Sequence, residues 1–246
     1  MILTPSILKE IKNYQNTRTI TLNKPDGTIV QFPEAIRGNS TYAWREEKRM
    51  QEIRECLLEG ALDKTILFIT LTIPHNSYRS ACEISWRYIN KTSGPFLTKL
   101  KKMGMKKYLI TFEATYKGGC HSHLICQWNK PFKTREIEGK YFLADRKLEK
   151  KISDKWLNEW KKKYPNKRIK DIDIQVCPNI IEAEKTFGYL TQWLGKGSEI
   201  DVALYNAEKG IANKDDVAKL FTNYWAMKLG IRLYRTSKNL CSDITL

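Results

Sequence analysis

Histidine is nearly absent from this chain: there are three in 246 residues, at positions 75, 121 and 123. That scarcity excludes the metal hydrolases that use an HxHxDH cluster, because position 125 is Ile, and no HExxH zincin motif occurs. The six cysteines form no CxxC pair, and the five residues between Cys120 and Cys126 contain two of the histidines, so a structural zinc site is disfavoured. They read as reduced, structural thiols. Long apolar runs are missing too. The longest, Ile66 to Ile73, has eight residues and two threonines, against the roughly 18 that a membrane span needs. Glu10 and Lys12 follow the N-terminus before any hydrophobic segment develops, so no export signal is expected. A phosphate-binding GxxxxGK[ST] loop is also absent, which excludes a helicase motor of that kind.

Apolar material is sufficient for a core, at 41% hydrophobic and 11% aromatic residues, so a folded chain rather than a disordered one is expected. Acidic residues are in deficit: 43 Lys and Arg against 27 Asp and Glu leave a formal charge of +16. A field of that size concentrates polyanions, and nucleic acid is the first partner it suggests.

Turn chemistry at Asn23 to Gly27 predicts a small hairpin, and helical spacing of apolar residues predicts a basic helix from Tyr42 to Leu62. Residues 1–62 thus read as an N-terminal appendage, 63–200 as the core and 201–246 as a helical, basic tail. Within the core, strands are expected at Lys64 to Ile73, Lys106 to Tyr116, His121 to Trp128 and Ile169 to Cys177. Helices are expected from Ser80 to Met103, reset near Gly94-Pro95, from Arg146 to Lys163 and from Ile180 to Leu194, with Lys214 to Leu229 in the tail. This β-α-β-β-α-β-α order predicts an α+β fold: a central antiparallel sheet with packed helices, of the ferredoxin-like kind.

Strand side chains alternate, so His121 and His123 project from one face a few ångströms apart, a spacing that lets two imidazoles converge on one cation. Lys117-Gly118-Gly119 is the turn before them, and Glu113 on the preceding strand supplies a carboxylate if the register is right. The expected cation is Mg²⁺ or Mn²⁺. Further on, Tyr189, Trp193 and Lys196 stand at i, i+4 and i+7 and share a helix face. An ammonium beside a tyrosine favours its phenolate and offsets phosphate charge, as a phosphodiester nucleophile requires. Read singly, the histidine pair is compatible with a polar strand and the tyrosine helix with an aromatic packing stripe.

Together and in this order, the elements resemble a family. A Thr-rich strand (Phe68-Ile69-Thr70-Leu71-Thr72), a His pair after a glycine turn (Gly118 to Leu124) and a Tyr helix are similar to the three motifs of HUH endonucleases. More narrowly, Tyr189-x3-Trp193-x2-Lys196 is similar to the YxxxYxxK helix of rolling-circle replication initiators of the microvirus gene A type and their plasmid relatives. The segment Gly230 to Lys238 resembles the Arg-rich end that follows the helix there. The chain departs from the pattern at Ser122, usually hydrophobic, and at Trp193, usually a second tyrosine.

The resemblance implies site-specific nicking and rejoining of single-stranded DNA at a replication origin. Tyr189 would be the nucleophile, assisted by Lys196, with His121, His123 and Glu113 on a divalent metal. Trp193, Arg232, Arg235 and Lys238 would contact DNA. It also implies a host helicase and polymerase as partners and a place in the cytoplasm of a host cell. Two alternatives stay open: a relaxase or single-strand transposase with the same chemistry, and a non-catalytic nucleic-acid-binding protein.

Overall fold

A computed structural model of the chain describes residues 2–16, 19–33, 40–59, 65–73, 78–162, 172–191, 197–237 and 240. In chain order the elements are α1 (Pro5–Asn16), β1 (Thr19–Asn23), β2 (Ile29–Pro33), α2 (Ser40–Leu58), β3 (Thr65–Thr72), α3 (Arg79–Lys102), β4 (Met105–Ala114) and β5 (Cys120–Trp128). They continue with β6 (Thr134–Ile137), β7 (Lys140–Leu143), α4 (Arg146–Lys161), β8 (Asp173–Cys177), α5 (Ile180–Thr191), α6 (Gly197–Glu208), α7 (Lys214–Leu229) and β9 (Tyr234–Thr236). The fold is α+β, with a five-stranded antiparallel sheet in the order β8-β3-β5-β4-β9.

Because β5 is antiparallel to both β3 and β4, those two strands run parallel with β5 between them, joined through α3. By the same logic β5 and β8 are parallel with β3 between them, joined through α4. The result is a sheet whose central strands are covered and apolar: Leu67, Ile69 and Leu71 of β3, Leu109 and Ile110 of β4, and Leu124, Ile125 and Cys126 of β5 are fully buried. Trp86, Trp128, Trp156, Trp160 and Trp225 are buried as well, each removing a large apolar area from water. Ile7 and Ile11 of α1 and Leu57 of α2 belong to the same core.

Several elements differ from the expected ones. α3 runs unbroken through Pro95. Proline removes one backbone donor there, but Ile89, Thr92, Ser93, Phe96, Leu97 and Leu100 keep a single buried face across the position, and that packing outweighs the local cost. The stretch between β5 and α4, where no element is expected, forms the hairpin β6–β7. Its two-residue turn has positive φ at Glu138 (51°) and Gly139 (75°), the requirement of a tight hairpin turn matched to strand twist. α1, α6 and the edge strand β9 have no counterpart among the expected elements. The expected strand start at Ile169 and the helix continuation to Leu194 lie outside the described residues.

The described cysteines are reduced thiols, four of them buried. Burial pushes the Cys126 thiol up to about 12 and Cys177 to about 11, which keeps both protonated and unreactive. No helix among the described residues is long and apolar enough to cross a membrane.

Candidate metal centre

The site begins with a turn. Gly118 N donates to Thr115 O at 2.7 Å, and Thr115 N to Gly119 O at 2.7 Å. Gly118 sits at φ 86°, a conformation that favours glycine. α3 grips this turn from outside: Trp86 Nε1 donates to Gly118 O (3.2 Å), and Cys120 N donates to Ser85 Oγ (2.9 Å). At the other end of the same corner, Ala114 N donates to Thr222 Oγ1 of α7 (2.7 Å). With both sides of the turn held, the β4–β5 register puts Glu113 directly opposite His121 and Thr111 opposite His123. The one irregularity in this pairing lies at the far end, between Met105 and Lys107. Glu113 therefore shares the histidine face, as the alternation of a strand requires.

Glu113, His121 and His123 form a group whose ligand atoms all lie within 4.8 Å of one another. Glu113 Oε2 is 3.6 Å from His121 Nε2, and Glu113 Oε1 is 3.9 Å from His123 Nε2. The imidazoles meet edge to face with centroids 4.8 Å apart. Burial lowers the His123 pKa to about 4, against the opposing pull of the Glu113 charge, so the ring is neutral at ordinary pH. Its contact with Glu113 is then no salt bridge.

Thr70 of β3 lies opposite His123, and its Oγ1 is 3.2 Å from His123 Nδ1. If that hydroxyl accepts the Nδ1 proton, His123 Nε2 carries a lone pair toward Glu113 Oε1. Both of those atoms are buried and without a hydrogen-bond partner. A lone pair and a carboxylate oxygen facing each other in a desolvated place are unfavourable unless a cation stands between them. Two imidazoles and a carboxylate are a donor set suited to a divalent cation, so these residues fit a metal.

α5 lies over the same face of the sheet. Its Ala183, Phe187 and Leu190 are buried, and the opposite stripe is left to solvent. Tyr189, 49% exposed, reaches back over the site with its ring centroid 5.9 Å from that of His123. Burial, then the charges of Glu113 and Asp215, raises its phenol pKa. Among the described residues the surroundings thus oppose the phenolate, and a cation held by the Glu113 group would act in the other direction.

The fold brings together Glu113, His121, His123 and Tyr189. Trp193, Lys196 and Lys238 lie outside the described residues, as does His75. Arg232 is exposed beyond the end of α7. Arg235 is half-buried on β9, opposite Ile110 and over the Phe112 ring at 5.6 Å. Ile110 and Phe112 alternate with Thr111 and Glu113, so Arg235 stands on the sheet face away from the histidines. Two site residues had no role ascribed from sequence: Thr70, and Phe68, whose ring stacks on His123 at 5.4 Å and 15°. The signal available for both was the alternation of Phe68, Thr70 and Thr72 on a strand next to the His strand.

The comparisons with known proteins add no family: no family model, no curated protein and no solved structure matches the chain.

Proposed function

We propose that this protein is an endonuclease of the HUH type that nicks and rejoins single-stranded DNA, acting as a rolling-circle replication initiator. The observation that carries this reading is the convergence of Tyr189 from α5 with Glu113, His121 and His123 from two strands. The split arrangement of the central strands, in keeping with a ferredoxin-like core, supports it, as does the +16 charge.

In this reading Glu113, His121 and His123 hold a divalent ion, Mg²⁺ or Mn²⁺, whose charge when bound would stabilise the non-bridging oxygens of a scissile phosphate. Tyr189 Oη forms a bond to phosphorus as the bond from phosphorus to the 3′-oxygen breaks. The phenol proton is lost to solvent, and the departing oxygen takes one up as a free 3′-hydroxyl. One P–O bond is exchanged for another, so the 5′-phosphotyrosine retains the energy for rejoining and no nucleotide hydrolysis is needed. Thr70 orients His123, and Lys196 adds positive charge near the phosphate. Trp193 stacks on a base, while Arg232 and Lys238 neutralise backbone phosphates; Arg235, packed over Phe112 on the opposite sheet face, takes no part. The partners are a replication origin in single-stranded form and a host helicase and polymerase, in the cytoplasm of the host cell.

The test is a denaturing gel of the full chain with labelled single-stranded DNA and Mn²⁺. A covalent adduct should form in the parent protein, vanish in EDTA and be absent in Tyr189→Phe, which should still retain DNA under native conditions. Adduct in chelator, or undiminished adduct in Tyr189→Phe, contradicts the proposal.

A further inference from the structure

A cavity of about 340 Å³ opens beside the candidate metal centre where β8, the β6–β7 hairpin and the start of α5 meet. Phe68, Tyr141, Gln175, Cys177, Asn179 and Glu182 are among the residues lining it. Its volume falls within the range of small-molecule sites. One wall is shared with the candidate active site: the Phe68 ring that borders the cavity also stacks on His123. Gln175 is the cross-strand partner of Phe68, and β8 is separated from β5 by β3 alone, about 10 Å at ~4.8 Å per strand. The cavity therefore lies within a nucleotide or two of a phosphate held at the metal centre.

Its chemistry suits a planar heterocycle. Phe68 and Tyr141 are half-buried against the core and present aromatic surface. Gln175 donates one Nε2 proton to Asp173, a bond that does not commit its carbonyl oxygen or its second N–H. Asn179 Oδ1 is engaged by Glu182 N (2.9 Å), and Glu182 Oε1 by Lys185 (2.7 Å), so both side chains are held in place. The Glu182 carboxylate and the Gln175 carbonyl are acceptors, and Lys140 is the cation on the same lining. Acceptors of this kind match the exocyclic amino group of adenine, cytosine or guanine, which thymine lacks.

We infer that this cavity is a nucleobase-reading subsite: it takes one base of the bound single strand, close to the scissile phosphate, and selects an amino-bearing base over thymine. The inference rests on the single-strand DNA reading of the neighbouring site. Gln175 and Glu182 are the specificity-determining residues, and Phe68 ties base recognition to the position of His123.

The test uses a randomised single-stranded DNA library with the full chain and Mn²⁺, sequencing separately the DNA retained under native conditions and the DNA attached covalently. Thymine should be depleted about tenfold at one position in the retained pool of the parent protein. That depletion should collapse toward parity in Gln175→Leu and in Glu182→Gln, a change in the exposed first turn of α5 that keeps shape. Circular dichroism checks the folding of each variant. A parent pool without base preference overturns the subsite, as does a preference that survives in both folded variants, whether or not adducts form. A preference that depends on these residues without any covalent product upholds the subsite and overturns the nicking reaction instead.

Discussion

Two buried carboxylates in this molecule have opposite surroundings. Glu159 of α4, with 8% of its side chain exposed, accepts from Lys162 Nζ at 3.1 Å and from Lys99 Nζ of α3 in a still shorter contact. These bonds hold its pKa below the ordinary carboxylate value, the Lys99 hydrogen bond contributing most. Glu113, 11% exposed, faces two imidazoles at 3.6 and 3.9 Å, and its Oε1 has no hydrogen bond. One carboxylate is completed by the fold itself, joining α3 to α4. The other is incomplete as the chain stands, which is what a site for an added cation requires.

The largest effect should come from Glu113→Gln. Altering an orienting neighbour of a metal ligand typically costs 10- to 100-fold in affinity, so loss of a ligand charge should weaken Mn²⁺ binding by at least about 100-fold. Calorimetric titration reads this directly. The metal-free variant should be no less stable than the parent, because the buried Oε1 has no hydrogen bond to lose. A clear drop in its thermal midpoint would mean that Glu113 is structural like Glu159.

Thr70→Val should come next. The isosteric change removes the acceptor near His123 Nδ1, and Mn²⁺ affinity should fall about tenfold. Thr70→Ser should restore it, an outcome that simple repacking would not give. Equal affinity in Thr70→Val would remove Thr70 from the positioning of His123.

Glu159→Gln tests the other half of the comparison. Losing charge-assisted bonds to partly exposed lysines should cost about 1 kcal/mol, read as a lower urea midpoint at unchanged slope, with Mn²⁺ affinity unaltered. The smallest effect is its pH dependence. A carboxylate whose folded pKa is depressed contributes stability that is present above the unfolded value, here about 4.5, and is lost as pH falls through the folded value. The parent should therefore lose its advantage over Glu159→Gln on acidification below about pH 4.5. A constant difference down to pH 2 would contradict the linkage.

Much of the candidate metal centre is legible in the chain because strand alternation is a local rule. His121 and His123 sit two apart, so they share a face in any register. Glu113 is different: its face depends on pairing across the turn, and that pairing is held by Ser85, Trp86 and Thr222, from helices distant in sequence. Tyr189 is visible as a helical residue, but its approach to His123 depends on how α5 docks on the sheet through Phe187 and Leu190. Tertiary packing likewise carries α3 through Pro95, against the local signal to stop. The β6–β7 hairpin was hidden because its short strands are half-exposed and charged, with Glu138 rather than Asn or Asp at the first turn position. Arg235 read as a free cation in an Arg-rich tail, whereas β9 pairing tucks it against Phe112, and its desolvation lowers its pKa.

In the proposed reaction Tyr189 and the incomplete carboxylate site act on the same phosphate. Its most direct test is peptide mapping by mass spectrometry after the full chain reacts with single-stranded DNA and Mn²⁺ and is digested with nuclease and trypsin. A nucleotide is expected on the tryptic peptide Thr186 to Lys196, with fragmentation placing it on Tyr189, and none when Glu113→Gln is treated in the same way. A nucleotide on Tyr205 or Tyr224, or on Tyr189 at undiminished yield in Glu113→Gln, would contradict it.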